Sequence, residues 1–175
     1  MPKLDIAPMA SAFIEELTGH VETRVRFRLI HDKDRKREVF EFTDEVKHAW
    51  DYILARQAEG YGVFYFLNEV KVGTAGYATD KDVTRVRAIP ADFDKGLPEL
   101  YEWHTPPTLV VHTSPGKGQA LWVETVPLAE FKPLCRRLIA RYDSDPAVQN
   151  LSRVLRLPGS LHLKGEPTLV THVRL

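Results

Sequence analysis

Apolar residues recur along this chain at two different spacings, and the switches between them predict where helices and strands fall. Residues 8–18 read as a short amphipathic helix. From Thr23 to Ile30 the period drops to two. Arg24, Arg26 and Arg28 alternate with Val25, Phe27 and Leu29, as in a half-exposed strand with a basic strip on one face. After the charged turn His31 to Arg37, Glu38 to Phe42 reads as its partner strand. Thr43 then caps a helix that turns Val46, Trp50, Ile53 and Leu54 inward and stops near Gly60. Tyr61 to Leu67 is an aromatic, β-branched run expected to be a buried strand. Lys71 to Thr84, rich in Gly, Thr and Asp, carries no period and reads as a mobile connection. A strand follows over Val86 to Asp94. Thr108 to Thr113 and Gln119 to Thr125 flank a Gly-rich turn as a hairpin, and Pro127 to Tyr142 is a helix entered through Pro127. A short helix is expected after Asp145, and Leu161 to Leu163 and Leu169 to Val173 close the chain as strands. This order predicts an α+β fold, a mixed, mainly antiparallel sheet packed against helices, with no internal repeat.

Composition narrows the function classes. A chain of 175 residues, 43% hydrophobic and 27% charged, is large enough to bury the core of one domain spanning residues 1–175. Its last residues, Thr171 to Leu175, read as strand, which suggests a domain cut from a longer protein. Lys plus Arg and Asp plus Glu are balanced at 24 each, so there is no global positive field and any contact with nucleic acid must come from a local patch. The lone Cys135 excludes a disulfide framework and a cysteine-rich zinc site. It falls on the apolar stripe Leu128, Phe131, Leu134, Cys135, Leu138, Ile139 and Tyr142, where a packed core thiol is expected. With no signal-like N-terminus and no apolar run of about 20 residues, a cytoplasmic location without membrane contact is expected.

The candidate chemistry lies in three segments. Strand alternation puts Asp92 and Asp94 on one face with Phe93 on the other. Two adjacent carboxylates repel unless a cation neutralises them, and hard divalent ions take such oxygen ligands. The same spacing is also compatible with an ordinary turn at Asp94-Lys95-Gly96. In the hairpin turn Ser114-Pro115-Gly116-Lys117-Gly118-Gln119, a hydroxyl, an ammonium and glycine N–H groups supply the parts of a phosphate cradle, and taken alone the same residues read equally as a plain Gly-rich hairpin turn. It is not a Walker loop, because a strand rather than a helix follows the lysine. Finally, alternation puts Ser160, His162 and Lys164 on one strand face, a cationic strip suited to a triphosphate or to plain solvent exposure.

Taken in order, these segments resemble the archaeo-eukaryotic primase superfamily, most closely its RepB-like plasmid primase and primase-polymerase domains, over about Tyr61 to Gly165. Ala91-Asp92-Phe93-Asp94 resembles the first metal motif and Thr113 to Gln119 the nucleotide-binding hairpin. Tyr142-Asp143-Ser144-Asp145-Pro146-Ala147 resembles the segment bearing a third carboxylate. Arg153 with Arg156-Leu157-Pro158-Gly159 and Lys164 resembles the pattern that closes the RepB-type domain, the most specific of the set. Gln119 stands where many members of the superfamily carry a histidine. The third carboxylate is Asp143 or Asp145, and Asp145 is chosen because it directly precedes Pro146-Ala147.

The resemblance implies an RRM-like catalytic core and a DNA primase or primase-polymerase: metal-dependent, template-directed nucleotidyl transfer that makes primers, with or without extending them. It implies Asp92, Asp94 and Asp145 as catalytic metal ligands for a pair of Mg2+ or Mn2+ ions, and Ser114, Lys117, Gln119, Arg156, His162 and Lys164 as nucleotide contacts. The implied partners are single-stranded DNA, NTP or dNTP substrates and a replicative helicase, fused or separate. Template contact is expected from Arg24, Arg26, Arg28, Arg85 and Arg87. A non-catalytic replication initiator or single-strand-binding module is the alternative, indifferent to loss of the carboxylates, and a two-metal nuclease is a third reading.

Overall fold

The computed structural model describes residues 7–20 and 22–175. The first six residues, on which the reading of a signal-free N-terminus partly rests, lie outside that span. In chain order the elements are α1 (Ala7–Thr18), β1 (Val25–His31), β2 (Phe40–Asp44), α2 (Val46–Ala58), β3 (Tyr61–Phe66), β4 (Glu69–Val70), β5 (Val83–Arg85), β6 (Ile89–Phe93), β7 (Leu109–Ser114), β8 (Lys117–Trp122), α3 (Leu128–Tyr142), β9 (Val154–Arg156), β10 (Leu161–His162), β11 (Thr168–Leu169) and β12 (Thr171–Arg174). The fold is α+β as expected. Its strands divide between two four-stranded sheets, β2-β1-β3-β9 and β12-β7-β8-β6, and two short ribbons, and every described pairing is antiparallel.

One core joins the two sheets. Phe13, Ile14 and Leu17 of α1 and Trp50 and Ile53 of α2 pack on Phe27, Leu29, Val63 and Tyr65 of the first sheet, and Leu109, Val111 and Leu121 of the second complete the cluster. The other face of the second sheet is covered by α3, through Phe131 and Cys135 against Val86 and Ile89 and through Tyr142 beside Phe93 and Trp103. Burying apolar area on both faces of β3 and β8 is what holds these strands in the middle of the molecule.

Several elements differ from their predicted form. Thr43 belongs to β2 and does not cap α2, whose N-cap is Glu45 without a side-chain bond, and Leu54 faces solvent. Pro127 is the N-cap of α3, one residue outside the helix. No helix follows Asp145: its carboxylate accepts the N–H of Ala147 (2.9 Å), closing a turn. The basic strip of β1 is not a free surface. Glu41 accepts from Arg26 Nε (2.5 Å) and Arg28 Nε (2.7 Å), and the Arg26 guanidinium also donates to the carbonyls of Thr74 and Gly76. These arginines therefore fasten the Lys71–Thr84 connection, and Arg87, between β5 and β6, is buried with its guanidinium 4.0 Å from Glu69. Of the five arginines predicted to meet a template, Arg26, Arg28 and Arg87 are withdrawn into the structure, while Arg24 and Arg85 remain exposed.

Candidate active site

The two sheets part at one end to leave a cleft of about 330 Å³, and most of the predicted site residues line it: Asp92, Asp94, Ser114, Lys117, Gln119, Arg156, His162 and Lys164. Asp92 is the penultimate residue of β6 and lies directly opposite Gln119 of β8, so the two side chains share the face that opens into the cleft. At the hairpin tip Ser114 pairs with Lys117 across Pro115-Gly116, and Gly116 takes φ 72°, which a side chain would resist. Asp94 lies just past the strand, exposed, 3.5 Å from Lys117 Nζ.

The third carboxylate is placed by the end of α3. Asp143 caps the helix with φ 50°, the only non-glycine residue with positive φ among those described, and this left-handed residue turns the chain back toward β6. Asp145 N–H then donates to the Asp92 carbonyl (2.9 Å). Asp145 is thus the neighbour of Asp92, while Asp143 points to a groove on the far side of Asp94. Burial, then the charges of Asp94 and Asp145, push the Asp92 carboxyl up to about 6. Arg153, which the closing sequence pattern contained without a role, stands against this cluster. Burial lowers its pKa while Asp145 and Asp92 oppose that, and its guanidinium donates to the Ala147 carbonyl. Asp80 fixes the turn before it by accepting from Ser152 N–H (2.8 Å) and Oγ (2.6 Å).

The opposite wall is built around a buried ion pair. Arg156 donates to both oxygens of Asp32 (3.1 and 2.6 Å), lies over the Phe64 ring at 4.6 Å, and is 5% exposed. Asp32 also accepts the N–H of Leu163 (2.8 Å), which anchors the segment carrying His162 and Lys164. Burial would raise the Asp32 pKa, but the hydrogen bond and charge of Arg156 outweigh it and hold the carboxyl below its usual range. Arg156, expected as a nucleotide contact, lines the cleft while its guanidinium is held by Asp32. Ser160 also departs from expectation: it is fully buried, with its hydroxyl on the Leu157 carbonyl (2.6 Å), because β10 is too short to carry the alternation back to it. Burial, then Arg156, hold the His162 imidazole below its ordinary pKa and favour its neutral form. Asp32 and Arg35, which also reaches the cleft, escaped the sequence reading because they lie in an irregular charged turn far from the motifs.

The donor set suits a hard divalent cation. Among the described residues no three His, Cys, Asp or Glu side chains already converge on one point, and Asp94 is turned toward Lys117. Yet a carboxyl made reluctant to ionise by two carboxylate neighbours is what a divalent ion relieves, through oxygen ligands alone. The cleft and its rim also hold three buried polar atoms without a partner, Gln119 Oε1, Ser144 Oγ and Arg153 Nε.

Comparison with known proteins identifies the family and the fold. Residues 82–175 match the family model of the RepB DNA-primase N-terminal domain. No curated protein sequence matches. Among solved structures, the AEP domain of the cyanophage S-2L primase-polymerase is 20% identical with a TM-score of 0.73, over 94% of this chain and 88% of that one. Primase RepB′ is 16% identical with a TM-score of 0.73, over 97% of this chain but 56% of its own length. The catalytic domain of RepB′ in complex with initiator DNA is 17% identical with a TM-score of 0.69, over 96% and 84%. Among the described residues no helix is long and apolar enough to cross a membrane.

Proposed function

Because the chain belongs to the family of RepB DNA-primase N-terminal domains, we propose that it is a template-directed nucleotidyltransferase that makes primers on single-stranded DNA from nucleoside triphosphates. The observation that carries this reading is one cleft in which the carboxylates of Asp92 and Asp94, with Asp145 beside Asp92, meet the cations Lys117 and Lys164 and the imidazole of His162. A nuclease needs only the first group.

Asp92, Asp94 and Asp145 would hold Mg2+ or Mn2+. Such ions, when bound, acidify the attacking 3′-hydroxyl and neutralise charge at the α-phosphate and the leaving pyrophosphate. The chain's own cations supply the rest. Lys117 and Lys164 compensate the triphosphate, and Ser114 and the N–H groups of the hairpin turn offer it donors. His162, held toward its neutral form before substrate arrives, donates one ring N–H, and an adjacent phosphate anion raises its pKa toward protonation. Arg153 keeps Asp92 and Asp145 together against their repulsion. Arg156 is a positioning residue that, through Asp32, holds the Leu163 backbone and with it His162 and Lys164. The structure of a RepB′ catalytic domain with initiator DNA supports DNA as the partner. The cytoplasm and an associated helicase belong to the same reading.

The test is de novo synthesis on single-stranded DNA with labelled nucleotides and Mg2+ or Mn2+, comparing the natural chain with Asp92→Asn. Products are expected from the natural chain alone. Equal synthesis by the variant would sink the assignment, and no product from either, with DNA binding intact in both, would favour a non-catalytic initiator module.

A further inference from the structure

Beyond Asp94 the cleft continues into a second depression walled by Lys95, Tyr142 and Asp145, and then into an open groove of about 1090 Å³ between the loop after β6 and the outer face of α3. The groove is open to solvent along its length, with apolar side chains such as Leu97, Pro98 and Ala140 set among charged ones, unlike the enclosed cleft that a small molecule needs. Its cations are Lys95, Arg137 and Arg141, with Arg137 and Arg141 one helical turn apart on α3. None of them forms an ion pair among the described residues, unlike Arg26, Arg28 and Arg156, which are all spent internally. Lys95, Arg137 and Arg141 outnumber the groove's two acids, Glu102, which accepts the N–H of Glu99 (2.6 Å), and Asp143 at the C-cap of α3. Lys132 and Arg136 extend the basic face of the same helix, which has a single acidic residue, Glu130. In a chain with no net charge this is a local concentration of uncommitted positive charge. The loop across the groove also carries Tyr101, 85% exposed and free to stack on a base.

We infer that this groove binds the sugar-phosphate backbone of the growing strand, the one that carries the attacking 3′-hydroxyl. The inference rests on the proposed nucleotidyl transfer. In-line displacement puts the attacking oxygen and the leaving pyrophosphate on opposite sides of the α-phosphate. The triphosphate cradle of Ser114, Lys117, His162 and Lys164 occupies one side of Asp92 and Asp94, and the groove opens on the other. The strand that brings the hydroxyl therefore leaves along α3.

The inference is tested by binding without divalent metal, so that its outcome does not depend on catalysis. Fluorescence anisotropy compares a labelled primer annealed to a template with the unprimed template, for the natural chain and for the triple variant Lys95→Gln, Arg137→Gln, Arg141→Gln. All three positions are exposed, so the variant should fold, and its thermal unfolding is checked alongside. Primed DNA should bind about tenfold more weakly at 0.1 M salt, with the slope of log affinity against log salt shallower by about two, while unprimed template changes by less than about twofold. Unchanged affinity for primed DNA, or an equal loss on both DNAs, would overturn it. An inert chain that still showed the expected binding pattern would fail the proposed chemistry and leave the groove assignment standing.

Discussion

Two groups of charge face each other across the cleft, and they are settled in opposite ways. On one wall Asp32 and Arg156 form a bidentate, fully buried pair whose spare lone pair takes the Leu163 N–H. On the other, Asp92 meets only like charge from Asp94 and Asp145, with Arg153 as a partial counterweight. The first group holds its wall together at neutral pH, with both Asp32 oxygens taken up inside the protein. The second costs stability until something cationic arrives. A buried charge that is satisfied reads as scaffold, and one that is frustrated at the mouth of a cleft reads as function.

The largest effect should come from breaking the satisfied pair. Asp32→Ala leaves the Arg156 guanidinium buried and unpaired and should cost about 3–5 kcal/mol in denaturant unfolding. A loss under about 1 kcal/mol would mean that the pair does not hold this wall. Asp92→Asn should act in the opposite direction. Between the ordinary carboxylate value of 3.8 and about 6, the folded state keeps the Asp92 proton that the unfolded state has lost, so raising pH through this window lowers stability. At about 1.4 kcal/mol per pKa unit, the contribution amounts to about 3 kcal/mol. The variant should therefore gain on the natural chain as pH rises from 4 to 7, and Mg2+ or Mn2+ should raise the melting temperature of the natural chain only. Asp32 has the reverse dependence: its pKa is lowered by folding, so its contribution is present above the ordinary carboxylate value and is lost as pH falls below it. A stability profile in which both variants shift in the same pH window would erase the contrast between the walls.

A smaller effect is expected from crowding the satisfied pair without removing it. A Cβ at Gly62 would lie 2.6 Å from Asp32 Oδ1 and 2.7 Å from Arg156 Nη1. Both neighbours are buried and mutually fixed, so Gly62→Ala should destabilise by about 1–3 kcal/mol, and should cost little in an Asp32→Ala background. Additive losses in the double variant would show that the strain lies elsewhere.

What could be read from the sequence follows the same division. Short-range patterns are local: the period of β1 and β3, the turn chemistry of the 114–118 hairpin and the stripe on α3 each report a face from residues a few positions apart. Asp92, Ser114, Lys117, His162 and Lys164, which line one cleft, are legible as candidates because strand alternation and a Gly-rich turn are properties of contiguous segments. Periodicity names a face but not its partner, so it could not show that Glu41, thirteen or more residues away, takes the β1 arginines. It could not show that Asp32 takes Arg156 across 124 positions either. The split into two sheets was hidden for the same reason, since it depends on which strand edges meet rather than on any strand's own pattern. The basic face of α3, with Lys132, Arg136, Arg137 and Arg141, is written in the sequence, but periodicity reports only the apolar stripe that the same helix turns inward.

The smallest effect expected is at Cys135, and it separates two causes that are merged at Asp92. Burial alone pushes the Cys135 thiol up to about 12, with no like charge nearby to add to it. Asp92 is raised by burial together with two carboxylates. If burial by itself were a mark of function, Cys135 would be reactive. Packed against Phe131, Val86 and Ile89, it should instead behave as a small apolar core group. Cys135→Ala should cost about 1 kcal/mol and leave the pH profile of stability between 4 and 7 unchanged. In the folded natural chain a thiol-alkylating reagent at pH 8 should react only as fast as the protein opens, many times more slowly than in denaturant. Alkylation of the native protein at the rate of an unfolded thiol would show that this face of α3 opens freely, and would remove Cys135 as the inert reference against which the frustrated carboxylates are judged.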